Sequence, residues 1–270
     1  MDLYEHISES LSRLAPVPDW PDMQRLIRRA VAPRPPHWQL PLLSCQAAGG
    51  AKEQAFEAAL AIACLQMGIM LVDDLLDEDP RGEHVQIGAP AAANLACAFQ
   101  ALGLGIIATS PAPAHARLQV IESLNQMMLD TAHGQQMDIQ NPQGEMIQIH
   151  DDLGDTMATP ASPDWMTGRT TLPILFAQSV VHAERERFLE LRQQASDPVC
   201  LVEAQAILLR CGAVSYCIDQ LLQRYRQARK LVESLPISER SGLEHLLAEQ
   251  ERPVEELFRA LAVDVAALML

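Results

Sequence analysis

Six aspartates stand in two groups of identical spacing. Asp73, Asp74 and Asp77 close a long apolar run, and Asp151, Asp152 and Asp155 follow Gln148-Ile149-His150. Each group is a DDxxD pattern. Residues four apart on a helix lie one above the other, so Asp73 shares a face with Asp77, and Asp151 with Asp155. Like charges at that spacing repel, and a carboxylate on an apolar segment is costly to bury without a counter-charge. Clustered carboxylate oxygens suit a hard divalent cation, and Mg²⁺ completes its octahedron with water and phosphate oxygens. The six aspartates are therefore candidate Mg²⁺ ligands. The substrate they imply is a diphosphate, bridged to carboxylate through metal ions.

One DDxxD alone would more often be a solvated acidic face. The surrounding chain argues otherwise. From Ala58 to Val72 it reads AALAIACLQMGIMLV, with Gln66 the only polar residue, and Met146-Ile147-Gln148-Ile149 leads into the second group. The spacing predicts a core helix over 54–77, ended by Pro80-Arg81-Gly82, with the first aspartates in its last turns. Amphipathic helices are expected over 3–14 and 21–31, a stiff proline connector over 33–36, and a short helix over 37–48. Further helices are expected over 89–104, 114–139, 144–156, 170–190, 200–210, 213–234, 239–249 and 253–268, with loops at 109–113 and 158–163. No stretch alternates as a strand does, so the fold class is all-α: a single-domain helical bundle spanning 1–270.

Composition agrees with that class. Apolar residues make up 49% and aromatics 4%, and a core of Ala, Leu, Ile and Met favours helices over sheets. A net charge of −15 argues against nucleic acid and against an anionic membrane surface. The acidic, amphipathic N-terminus is no signal peptide, and the longest nearly apolar run, Ala58–Val72, falls short of the ~20 residues a membrane helix needs. No transmembrane segment is expected. The six cysteines show no CxxC pair and read as reduced thiols in a cytoplasmic protein. Lysine occurs only at 52 and 230, so phosphate grip must come from arginine.

The residues also carry a resemblance. Asp73 to Asp77 followed by Arg81-Gly82, then Gln148 to Asp155, then Gly168-Arg169-Thr170-Thr171-Leu172-Pro173, are similar to the signatures of the trans-isoprenyl diphosphate synthase (polyprenyl synthetase) family, from about Pro41 onward. The resemblance implies a class I isoprenoid-synthase bundle with a central cavity, a Mg²⁺-dependent transferase of isoprenoid biosynthesis, and a homodimer. It implies that the six aspartates hold Mg²⁺ and, through it, an allylic prenyl diphosphate. Arg81 would clamp that diphosphate, though a helix-end charge explains it equally well. Gln135 and Asp138 match the family's GQxxD stretch, Gln148 the glutamine before the second motif, and Arg169 stands where the family has a lysine. Gly68 and Ile69, with Met70 and Leu71, fall where the family limits chain length, and no aromatic plug stands among them.

The chain also departs from the pattern. Pro36, His37, Trp38 and Leu40 occupy the place of a Gly-Lys-Arg-x-Arg pocket for isopentenyl diphosphate, and the family's Lys-Thr pair is absent. Only 12 residues separate Asp138 from Asp151 where the family has about two more helices, which points to a missing or deleted segment near 139–144. Chain elongation with isopentenyl diphosphate is the leading reading. Prenyl transfer to another acceptor, or terpene cyclisation, would survive loss of that pocket. A non-catalytic partner subunit is a further rival, although such subunits tend to lose the aspartates. A plain acidic helical adaptor would leave them unexplained.

Overall fold

The computed structural model describes residues 2–77, 79–140, 146–162, 164–165 and 170–260, and every regular element among them is helical. Contacts divide the chain into two compact units, residues 1–132 with 235–246 and residues 133–234 with 247–270. Two of the boundaries, at 132/133 and 246/247, fall inside helices, and the third, at 234/235, follows the end of one. The expected departure near 139–144 falls mainly on residues 141–145, outside the described residues.

In the first unit, α1 (Leu3–Arg13) starts at Asp2, whose carboxylate accepts the N–H groups of Tyr4 and Glu5 at 3.0 and 3.2 Å. That satisfies two of the four donors a helix start leaves open. Helix α2 (Pro21–Val31) begins with proline in its first turn, where the missing N–H costs nothing. Ile7 and Leu11 of α1 pack with Met23 and Ile27 of α2 and with Trp38 in one core cluster. The helix expected over 37–48 is shorter: Pro36–Gln39 form a 3₁₀ turn, and α3 spans Leu40–Ala47.

Helix α4 (Phe56–Leu76) is the buried axis of this unit, preceded by a 3₁₀ turn at Lys52–Ala55. The lone polar residue of its 58–72 stretch has two partners. Gln66 Oε1 accepts from buried Trp38 Nε1 and pairs with His37 Nε2 at 2.5 Å, so both rings of the connector are tied to α4. After the short α5 (His84–Ile87), α6 (Ala89–Thr109) runs five residues past its expected end and packs against α4. Two glycines permit that approach. A Cβ at Gly103 would lie 3.0 Å from the Ala61 carbonyl oxygen, and one at Gly68 3.1 Å from that of Ala96. Helix α7 (Ala114–Gln140) adds Leu124 to the same seam beside Ala61, Leu65 and Ile107.

The second unit holds α8 (Met146–Met157), α9 (Leu172–Ser179), α10 (Arg185–Arg192), α11 (Pro198–Arg210), α12 (Ala213–Ser234) and the latter part of α13 (Ser241–Ala260). The single helix expected over 170–190 is broken after Ser179, where Val180 turns extended. The break expected before Pro253 is absent, and α13 runs through it. A proline inside a helix costs about 3 kcal/mol; Glu251, fully buried and paired with Arg229 of α12, and buried Val254 supply the tertiary contacts that offset it.

Two helical stretches exceed the expectation from apolar run length. Lys52–Leu76 and Ala89–Thr109 are long and apolar enough to cross a membrane by length and composition, and Pro198–Arg210 with Ala213–Ser234 passes as a pair bent by 57°. In the first unit the two single helices use this apolar surface to pack on each other.

Candidate active site

Burial brings α4 to the first aspartate group. Its apolar residues lie in the core through Leu71, and the helix ends where Asp77 caps it, its N–H bonded to the Asp73 carbonyl at 2.9 Å. Asp73, Asp74 and Asp77 are all half-buried. They do not share one environment. Asp73 and Asp77 stand four apart on one side of the last turns, whereas Asp74 is about 100° round the helix. There Asp74 lines a cavity of about 200 Å³ with Leu26, Arg29, Trp38, Met70 and Glu83. Its carboxyl is pushed above the usual range, first by burial and then by the charges of Asp79 and Asp73; the Glu83 backbone N–H and Arg29 pull against that shift.

Arg81 turns back on its own loop. Its guanidinium Nη2 donates to Asp79 Oδ2 at 2.8 Å and its backbone N–H to Asp79 Oδ1 at 2.7 Å. The side-chain hydrogen bond from Arg81 is the largest cause holding the Asp79 carboxyl below its ordinary value. A phosphate gripped by Arg81 would replace Asp79 as its partner. Gly68 lies in the seam between α4 and α6 against Ala96 and Gln100. Ile69, beside it, is half-buried.

In the second unit, Asp151, Asp152 and Asp155 lie on α8. Asp152 is 9% exposed, and its Oδ2 accepts the N–H of Leu172 at 3.0 Å, the first residue of α9. Thr171 stands at the N-cap without a side-chain cap of its own, so Asp152 answers one of the open donors there. The far end of α8 is locked as well. The Thr156 carbonyl accepts from Trp165 Nε1 at 3.0 Å and from Gln205 Nε2 at 3.1 Å, and Thr156 Oγ1 pairs with Thr171 Oγ1 at 2.8 Å. Sequence reading missed this set, although Gln205 on the apolar α11 was a usable signal. Asp155 is half-buried on α8, and Gln135 half-buried on α7. Arg169 and the side chains of Asp138, Gln148 and Asp151 lie outside the described residues.

Removing the Asp152 acceptor strands a buried N–H. Asp152→Ala is expected to lower unfolding stability by about 1–3 kcal/mol, and Asp152→Asn, which keeps an acceptor oxygen, to recover most of it. Urea midpoints of the two variants compare them directly.

Among the described residues, no three Asp, Glu, His or Cys side chains converge as a group that could hold a metal ion. The donor set still suits Mg²⁺, which binds through one or two carboxylates with water and substrate phosphate rather than in an all-protein cage. Asp73 and Asp77 have the chemistry and spacing for that role.

Residues 38–148 match the family model described as polyprenyl synthetase. No curated protein matches the chain. Among solved structures, geranylgeranyl pyrophosphate synthetase from the archaeon Geoglobus acetivorans superposes with a TM-score of 0.73 at 20% identity, covering 93% of this chain and 96% of that one. The enzyme of the same name from Pyrococcus horikoshii gives 0.73 at 17% identity, covering 92% and 97%. Heptaprenyl diphosphate synthase from Staphylococcus aureus gives 0.64 at 15% identity, covering 93% and 95%. These likenesses define an all-helical protein of the isoprenoid-synthase fold. The match over 38–148, which includes the first aspartate group, makes that stretch similar to the polyprenyl synthetases.

Proposed function

We propose that this protein is a Mg²⁺-dependent prenyltransferase that ionises an allylic prenyl diphosphate and extends it with isopentenyl diphosphate. The observation that carries the proposal is the placement of Asp73 and Asp77, half-buried at the end of an apolar core helix inside the stretch that matches the family. In the reaction the allylic C–O bond breaks with its electron pair leaving on the diphosphate, and the allylic carbon then bonds to the acceptor's double bond, which sheds a proton. Bound Mg²⁺ would supply charge stabilisation for the departing diphosphate. Asp73 and Asp77 would fix where that charge is received. Arg81 would add a forked contact to a phosphate oxygen on releasing Asp79.

A specific observation favours a second reading, transfer to an acceptor other than isopentenyl diphosphate or cyclisation. Where the resemblance locates the isopentenyl diphosphate pocket, His37 is bonded to Gln66 and Trp38 walls an apolar cavity. The cavity's guanidinium, Arg29, is engaged by Glu83 and by the Arg81 carbonyl. A second diphosphate would find little cationic charge there.

Incubation with Mg²⁺ and farnesyl diphosphate, with and without isopentenyl diphosphate, separates the readings by mass spectrometry. Longer diphosphates formed only with isopentenyl diphosphate establish elongation. Diphosphate release or hydrocarbon products formed without it establish the second reading. No release under any condition overturns both. A cytoplasmic location fits the six cysteines, all free thiols, and the helices that meet the length criterion for a membrane then serve as core. A homodimer follows from the family resemblance and is checked by sedimentation.

A further inference from the structure

Glu83 is a carboxylate 1% exposed, as buried as the core leucines, in the turn that follows the first aspartate group. Two arginines one turn apart on α2 hold it. Arg25 Nε donates to Oε1 at 3.0 Å, and Arg29 Nη1 to Oε2 at 3.0 Å. Arg29 Nη2 reaches on to the Arg81 carbonyl at 2.8 Å. Nothing in the proposed chemistry uses this carboxylate. Burying it costs several kcal/mol before its partners repay the loss, and an apolar side chain would anchor a loop at less expense. What the forked ion pairs add is a fixed orientation.

That orientation has a path to the aspartates. Gly82 packs so tightly on Asp74 that a Cβ there would lie 2.9 Å from the Asp74 Cβ. The Gly82 N–H bonds the Asp79 carbonyl at 2.9 Å, and the Asp79 N–H bonds the Asp74 carbonyl at 3.0 Å. The turn is thus stitched to the last turn of α4 at one end and gripped by α2 at the other.

We propose that Glu83 is a positioning residue for the α4 aspartates: Arg25 and Arg29 grip it, and through Gly82 and Asp79 it holds the turn of α4 from which Asp73 and Asp77 project. The inference rests on the proposed role of those aspartates in holding a divalent cation. Its test is Mn²⁺ binding to the full chain with inorganic diphosphate present, read as free Mn²⁺ by electron paramagnetic resonance. Glu83→Gln keeps the size and removes the charge. Its Mn²⁺ affinity is expected to fall ~10-fold or more, the usual loss when a residue supporting a metal ligand is changed, while its far-ultraviolet circular dichroism stays that of the unaltered chain. Arg29→Lys keeps the charge but loses the fork, and is expected to fall in the same direction by a smaller factor.

Unchanged affinity in either folded variant overturns the proposal, since a merely structural anchor would move the melting temperature alone. If Glu83→Gln does not fold, Arg29→Lys decides. Diphosphate release from farnesyl diphosphate, measured in parallel on the unaltered chain, keeps the two hypotheses apart. Mn²⁺ binding without turnover sinks the proposed function and leaves the clamp to be judged by its variants. Turnover together with unaltered Mn²⁺ affinity in Glu83→Gln sinks the clamp alone. An unaltered chain that binds no Mn²⁺ overturns the clamp outright.

Discussion

Asp73→Ala is expected to release diphosphate from farnesyl diphosphate at least ~100-fold more slowly than the unaltered chain, the scale on which enzymes lose rate when one fixed group that receives developing charge is removed. The fold is expected to survive. Asp73 is half-buried at the end of α4, beyond the packed stretch that closes at Leu71. Its charge is also one of the causes that push the Asp74 carboxyl upward, after burial and Asp79. Removing it relieves like-charge repulsion with Asp74 and Asp77, so thermal unfolding should begin no lower than in the unaltered chain. Full turnover in Asp73→Ala would remove the basis for assigning the cation to this group.

Gly103→Leu is expected to have the opposite signature, loss of fold and activity together. A Cβ at this position would already lie 3.0 Å from the Ala61 carbonyl oxygen and 3.2 Å from both Cys64 Cβ and Leu65 Cγ. All three belong to α4, and the first is backbone, which yields only if the helix moves. Overpacking of a tight core costs about 1–3 kcal/mol and sometimes more; four added heavy atoms in this seam belong at the upper end. Urea denaturation should show the shift, and whatever folded protein remains should have lost turnover, because α4 carries the aspartates. Gly105, two residues along the same helix, has nothing within 4 Å of such a Cβ. Gly105→Ala is therefore the control, and stability equal to the unaltered chain or up to about 1 kcal/mol higher is its expected result, since Ala favours the helix over Gly.

The contrast between these glycines shows what a sequence reader cannot obtain from residue type. Gly103 and Gly105 look alike in the string GLGI, and only the crossing of α6 on α4 distinguishes them. Gly68 makes the same point from the facing helix. The structure sets it against Ala96 and Gln100 in the helix seam, a contact that residue type alone does not show.

Much of the architecture was legible in one dimension because helix-forming order is local. Helical periodicity, proline and glycine punctuation and the apolar run before Asp73 located α2, α4, α7, α8 and α12 to within a few residues. The boundaries that differed were those where tertiary contact outweighed local propensity, as at Pro253, or where one helical pattern proved to be two helices, as at Val180.

For the site, residue type and spacing by themselves set which chemistry to expect: carboxylates four apart on apolar helices, donors suited to a hard cation, arginine in place of lysine, and a likeness to polyprenyl synthetases that the match over 38–148 bears out. Only the tertiary structure decided what each group is doing. It turned Asp74 towards α2, gave Asp152 the start of α9 to cap, closed Arg81 onto Asp79, and buried Glu83 between two arginines more than 50 residues away. The physical reason is that a charge's role depends on which donors reach it and how much water remains, and both are set by chain segments distant in sequence.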